Sequence, residues 1–337
     1  MLQDRQDEAT VPDTADAAIV SPLPGALLFD DPDRFGCHLQ QVHAEITIVG
    51  GGRYRAGLQI VPVGSVVLQR GWQLPAHIGR VSMPADRCLL LFSPRADQPP
   101  SHVARSAVAF TDMVYAPGGS QEYCRGARDT QWEALSPSFD ALTNAAETLI
   151  GTDLSRLRST RVISPDLSAG LHLRDLTRRV ATLAATTPQV LAHPEVVRAI
   201  ADSLLRAMTA CLSGAEDRHR ETRVGTGRGA AIIRRLEAFL EANADRAVHL
   251  TELCMATGVK ARALRYWCND YLGVGPVRYL HLRRMHLARR ALLHGNTAAT
   301  SVTRVASDFG FAELGRFAVG YRRLFGESPS ATLRRSV

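Results

Sequence analysis

The sequence predicts an α+β multidomain protein: a small antiparallel β-barrel or sandwich with packing helices in front, and an all-helical C-terminal third. Three observations carry that expectation. Short apolar runs broken by turn residues fill the first part of the 337-residue chain, a helical period takes over after about Ser136, and two similar helix-glycine-helix units follow. The length suits two or three domains, and 45% hydrophobic with 22% charged residues is the composition of ordinary globular cores.

Taken in order, residues 1–24 combine acidic and small residues with Pro12, Pro22 and Pro24, the composition of a disordered arm. Asp4, Asp7, Glu8, Asp13 and Asp16 stand where a signal peptide needs basic and then apolar residues, and no apolar stretch approaches the length of a membrane span. Cys37, Cys88, Cys124, Cys211, Cys254 and Cys268 never form C-x-x-C, so reduced cytoplasmic thiols are expected rather than a zinc ribbon or a disulfide framework.

Residues 25–135 hold the apolar runs Gly25–Phe29, Ala44–Val49, Gly57–Val61, Ser65–Gln69, Cys88–Phe92 and Ala107–Phe110, separated by turns such as Gly50-Gly51-Gly52 and Pro117-Gly118-Gly119. That spacing predicts a β-rich domain. In residues 136–214, Phe139, Leu142, Ala146 and Leu149 share one helical face, as do Leu173, Leu176, Val180 and Leu183. Pro194 opens a helix carrying Val197, Ile200, Leu204, Met208 and Cys211, a seam that suits either packing against the sheet or dimerisation. Residues 215–228, rich in glycine and charge, read as a linker.

The net charge of +7 is unevenly divided. From Gly225 onward there are 18 Lys+Arg and 8 Asp+Glu, a net +10, leaving 22 basic and 25 acidic residues, a net −3, in residues 1–224. A basic module joined to a mildly acidic one points to a polyanion partner.

Inside the basic third, Leu250–Cys268 and Ser301–Tyr321 repeat one pattern. Each has an alanine (Ala256, Ala306) where two helices would cross, a turn glycine (Gly258, Gly310), and an apolar residue next (Val259, Phe311). A steep crossing needs a small side chain, and its corner needs a residue tolerant of positive φ. The basic amphipathic stretch Pro276–Leu293 joins the units. Trp267, Phe309, Phe317, Tyr321, Leu324 and Phe325 sit at helical spacing on the opposite faces and read as core, and Cys254 and Cys268 as small buried hydrophobes.

Gly258-Val259 with Leu264, Gly275–Leu293, Ser301–Ala306, Phe309-Gly310-Phe311, Phe317 and Tyr321–Ser330 together resemble the DNA-binding domain of the AraC/XylS family of transcription regulators, over residues 229–335. Glu313–Val319 and Pro329–Arg334 are most similar to the branch containing the ethanolamine-operon regulator. The resemblance implies two helix-turn-helix units entering successive major grooves on one face of double-stranded promoter DNA. It puts Ala261, Arg262, Arg265 and Tyr266 at base-reading positions, where arginine is a bidentate donor to guanine. The matching positions of the second unit fall on Leu314, Gly315, Ala318 and Val319 with Arg316 beside them, where the family commonly has polar readers. Arg322 and Arg323 are expected to hold phosphates, with apolar contact to thymine methyls or DNA bending from the second unit.

The front half is similar to the family's sensor-plus-dimerisation layout, whose sensor is often a cupin-like barrel. This implies an unknown small-molecule effector and a homodimer, with RNA polymerase a further partner. Cupin metal sites use His-x-His with a later Glu; His38, His43, His77 and His102 do not form that pattern, so neither metal nor cofactor is expected. Tyr54, Trp72, Phe92 and Tyr115 are candidates for pocket walls or plain core, and Arg87 or Arg95 facing a pocket would select an anion. The competing reading is an enzyme, cupin-type or a DNA-repair fusion, with an accessory nucleic-acid-binding domain; the activator reading is preferred.

Overall fold

The computed structural model describes residues 23–150, 157–213, 227–244, 246–295 and 300–335. The expected arm and linker lie almost wholly outside the described residues, as does the side chain of Leu149. The architecture is a mixed one, with two β-sheets in front and a helical C-terminal region.

One antiparallel sheet has the order β1 (Leu27–Phe29), β3 (Ala56–Val63), β4 (Val66–Gln73), β11 (Thr130–Pro137), β6 (Leu89–Phe92), β9 (Met113–Ala116) and β12 (Arg161–Ile163). The second has the order β2 (His43–Ile48), β5 (His77–Ser82), β10 (Gln121–Gly126), β7 (Ser101–Val103) and β8 (Ser106–Val108). These are two open sheets and not a closed barrel.

Alternation along the strands explains the layering. In β6 and β11, Leu90, Phe92 and Leu135 are fully buried against α2 (Phe139–Ile150), α3 (Leu167–Thr186) and α4 (Pro194–Ser213), while Leu89, Leu91 and Ala134 turn to the space between the sheets. Leu204, Met208 and Cys211 of α4 are buried in this same core, so the seam packs within the chain.

Half the described strands lie outside the apolar runs, and three of these, β5, β10 and β11, carry charges in their interiors. Glu133 in β11 is buried and held by Arg70 Nε of the neighbouring β4 at 2.6 Å and by the Thr177 hydroxyl at 2.6 Å. β12 lies in the stretch read as helical and closes the edge of the larger sheet beside β9.

The second sheet is covered by the C-terminal helices α5 (Gly227–Glu241), α6 (Leu250–Thr257), α7 (Ala261–Leu272) and α8 (Pro276–His294), followed by α9 (Val302–Asp308), α10 (Leu314–Phe325) and α11 (Pro329–Arg334). Ile78, Val103 and Tyr123 share a core with Ile233, Leu236, Leu264 and Tyr271. The short helix α1 (Pro32–His38) starts on Asp31, whose carboxylate accepts from the Arg34 N–H at 2.8 Å, and its Phe35 packs with Ile48, Met285 and Phe325. Front and back halves are therefore joined by continuous apolar surface.

His286 on α8 sits in that seam and its Nε2 accepts the Ile48 N–H at 3.0 Å, which requires a neutral ring. Burial holds its pKa down to about 4, with the nearby Asp33 charge pulling the other way. A group depressed on folding contributes stability above its unfolded pKa, here 6.5, and that contribution is lost as pH falls to about 4. Buried Glu122 acts in the opposite direction, since burial pushes it up to about 7, so the informative quantity is a difference between variants. His286→Gln keeps an acceptor and removes the titration. Urea unfolding across pH should show the wild type losing about 3 kcal/mol relative to the variant between pH 6.5 and 4.

Candidate nucleic-acid interface

In the first unit, α6 begins with a reciprocal cap, in which the Glu252 carboxylate accepts the His249 N–H at 2.8 Å. It ends at Gly258, whose φ of 69° is left-handed and whose N–H bonds the Cys254 carbonyl at 3.0 Å. The chain then re-enters helix α7, and the second unit repeats this with Gly310 at φ 74° and the Phe311 N–H on the Ala306 carbonyl at 2.9 Å. Ala306 is fully buried at its crossing, as expected. Ala256 is only half-buried, and Leu253 and Thr257 supply the buried face of α6 instead.

Helix α7 is divided cleanly. Leu264, Cys268, Tyr271 and Leu272 are buried, whereas Ala261, Arg262, Arg265 and Tyr266 all lie on the exposed face. Burial pushes the Cys268 thiol up to about 12, which makes it a hydrophobe and not a nucleophile. Trp267 is half-buried, edge-on to Tyr266 and Tyr271 and under the Arg105 guanidinium at 5.7 Å.

In α10, Phe317, Tyr321, Leu324 and Phe325 form the buried face, while Leu314, Gly315, Arg316 and Val319 are exposed and Ala318 is half-buried. Arg316 pairs with Glu313 at 2.9 Å on the surface, and Arg322 and Arg323 are exposed in the last turn. The two units thus present outward the side chains picked out by sequence, one set basic and aromatic, the other largely apolar.

Sequence reasoning did not find the contacts that seat these helices. The C-terminal end of α7 is held by the front half, with Arg105 Nε 2.5 Å from Asp270 and Arg125 Nη2 3.5 Å from the Asp270 carbonyl. The end of α10 is held similarly, for the Gly52 N–H donates to the Arg323 carbonyl at 3.2 Å. A side chain at Gly51 would stand 2.7 Å from that carbonyl, which is why the loop between β2 and β3 is glycine at this point. Between the units, α8 is fixed by Asp31 to Arg289 and by Asp33 to Arg290 at 2.6 Å. Asp31 is buried; burial favours its neutral form, but the Arg289 charge and the Arg34 N–H outweigh this and hold the carboxyl below its usual range. Asp31-Pro32-Asp33 was not picked out from the sequence, and its partners lie more than 250 residues away.

A cavity of about 110 Å³ lies between the two sheets, lined by Phe35, Leu39, Ile46, Leu89, Leu91 and Trp132 with Gln73, His77 and Thr130 at one end. Its aromatic walls are Phe35 and Trp132. Tyr54, Trp72, Phe92 and Tyr115 are buried core residues outside it, and Arg87 and Arg95 are also elsewhere, Arg87 on the Ser136 carbonyl and Arg95 on Asp97 and Asp129. His77 and His102 line it, whereas His38 and His43 do not. Among the described residues, no cluster of three His, Cys, Asp or Glu could hold a metal ion, and no helix is long and apolar enough to cross a membrane.

Residues 253–335 match the family model described as a helix-turn-helix domain. The XylDLEGF operon transcriptional activator 2 of Pseudomonas putida is 36% identical over 112 residues, which are 33% of this chain and 71% of that protein. The chain belongs to the AraC/XylS family of transcription regulators. The probable thc operon regulatory protein of Rhodococcus erythropolis is also 36% identical, over 151 residues, 44% of this chain. The match likewise spans only 44% of that relative's length. A solved structure of the AraC-like transcriptional activator CuxR covers 79% of this chain and 96% of its own at 14% identity, with a TM-score of 0.42.

The two corner glycines differ in what surrounds them. An added Cβ at Gly258 meets only the Arg235 guanidinium, at 4.0 Å, while one at Gly310 would lie 2.7 Å from the Ala247 Cβ. Gly258→Ala should cost about 1–2 kcal/mol for the left-handed backbone alone. Gly310→Ala should cost clearly more, and denaturant unfolding of the two variants side by side checks the order.

Proposed function

We propose that the chain is a cytoplasmic, ligand-responsive, sequence-specific regulator, an activator that binds promoter DNA as a homodimer and works with RNA polymerase. The observation that carries this reading is the pair of helix-turn-helix units whose exposed faces hold Ala261, Arg262, Arg265 and Tyr266 on α7 and Leu314, Gly315 and Arg316 on α10, joined by one helix.

In this reading α7 does most of the base recognition. Arg262 and Arg265 are the side chains able to make bidentate bonds to guanine. Helix α10 lays Leu314 and Val319, exposed by 41% and 71%, against thymine methyls, while Arg322 and Arg323 anchor phosphates. Residues 229–335 form the DNA-binding domain, 25–135 a cupin-like sensor, and 136–214 a helical region whose exposed Leu167 and Leu171 favour a second copy as partner. The activator role follows the Pseudomonas relative, which is a transcriptional activator by name. That name also favours a regulator over an enzyme with an accessory nucleic-acid-binding domain.

Two substitutions test the division of labour, using a site obtained by selecting genomic fragments that bind the full-length protein. Arg265→Ala should cost about 1–3 kcal/mol on the selected site and relax preference at one base pair. Arg322→Ala should weaken all sequences alike and reduce the salt slope by about one. If Arg322→Ala changed base preference and Arg265→Ala did not, the roles of the two helices would be reversed.

A further inference from the structure

The cavity between the sheets has a wall in common with the seat of the DNA-binding helices. Helix α1 and the residue that ends it close the cavity with Phe35 and Leu39, and the same helix starts on Asp31 and carries Asp33 in its first turn, the two acids that hold Arg289 and Arg290 of α8. Arg125 stands in another part of the wall and reaches the end of α7 at the Asp270 carbonyl. No other described element both lines the cavity and carries acids paired with α8.

The lining also restricts what can enter. Most of it is hydrocarbon or aromatic, from Val42, Ile46, Val81, Leu89, Leu91 and Trp132; it contains no carboxylate, and the guanidinium of Arg125 is turned away to the end of α7, where it meets the Asp270 carbonyl. A largely apolar pocket of this order of size has room for a single ring. The polar end is made by the last residue of β4 and the first of β5. His77 Nδ1 lies 3.1 Å from the Pro75 carbonyl, so this nitrogen carries the hydrogen and donates, leaving Nε2 as an acceptor. His77, Gly79 and Val81 alternate along β5 on the cavity side. Gln73 uses its carbonyl oxygen to accept from the Tyr54 hydroxyl at 3.2 Å, which leaves its amide hydrogens as donors. A hydroxyl group, donor and acceptor in one, matches an imidazole acceptor and an amide donor.

We propose that the cavity binds a compact, uncharged, single-ring molecule bearing a hydroxyl at the Gln73–His77 end, and that α1 carries its occupancy to α8 through Asp31 and Asp33. The ligand completes the packing beneath Phe35 and Leu39, which steadies α1. Its two acids then hold α8 more firmly, and with it the spacing of α7 and α10. Occupancy raises affinity for the DNA site without the ligand touching DNA. The inference rests on the ligand-responsive reading above and adds the ligand class and the route.

The test uses the full-length protein, its selected DNA site, and phenol and toluene as probes, one ring with and without the hydroxyl. Specific DNA binding without a probe is measured first, because its failure would remove the regulator reading itself. With that binding in hand, phenol should raise the melting temperature, bind more tightly than toluene by calorimetry, and increase affinity for the DNA site by about 5- to 150-fold. Gly79→Val should abolish phenol binding while preserving the fold, since the added side chain grows beside Ile46 at an ordinary 3.5 Å on the cavity face. Asp33→Asn and Arg290→Gln, on either side of the half-exposed pair, should still bind phenol but lose its effect on DNA affinity.

No binding by phenol, binding that survives in Gly79→Val, or equal binding of toluene would each overturn the assigned site or its chemistry. A DNA effect that persists in both Asp33→Asn and Arg290→Gln would overturn the route.

Discussion

Arg289 is a cation set where water scarcely reaches it, with its side chain 3% exposed, and the arrangement of the C-terminal helices follows from how that charge is met. One side of its guanidinium bonds the buried Asp31 carboxylate, and one face lies over the Phe325 ring at 5.4 Å. A buried ion pair of this kind gives little net stability over an apolar pair of the same shape, but removing one partner strands the other at a cost of about 3–5 kcal/mol. Its value is positional. It joins α8 to α1 in front and to the last turn of α10 behind, so three elements from opposite ends of the chain share one register.

Helix α8 is then a strut with two loads. Tyr279 and Leu280 near its start belong to the core of the first helix-turn-helix unit, and Met285, Ala288 and Leu292 near its end to that of the second. The Tyr279 hydroxyl donates to buried Glu237 of α5 at 2.7 Å, which locks the first load in place. Because the exposed faces of α7 and α10 are fixed relative to this strut, their spacing is set by buried packing and not by the flexibility of a linker. The front half supports the C-terminal ends of both helices and leaves Arg262, Arg265 and Arg316 exposed.

The C-terminal third was the most legible part of the chain, and the reason is local. Corner glycines, apolar residues after them and aromatics at helical spacing are all set within about twenty residues, so α6, α7, α9 and α10 could be placed from pattern. The exposed positions on both helices follow once those faces are known. The front half was less legible because its sheets tolerate charge where a partner exists. Glu133 interrupts β11, and only the cross-strand Arg70 and the Thr177 hydroxyl of α3 make its burial sensible. Arg80 breaks the apolar reading of β5 for the same reason, since Glu45 on β2 and Glu241 on α5 meet it. Of the two readings open for Tyr54, Trp72, Phe92 and Tyr115, plain core is the one the structure shows, while the actual wall residues Phe35 and Trp132 were not picked out. Aromatic residues were visible, but which face of which strand each occupies depends on a register that sequence does not display.

The central claim is that two helices of one strut meet DNA together. Hydroxyl-radical footprinting of the full-length protein on its selected site tests this most directly. The account predicts two protected patches on the same face of the duplex, about one helical turn apart, with both patches lost together when α8 is unseated by Arg289→Ala. A single protected patch, or two that are lost independently, would contradict it.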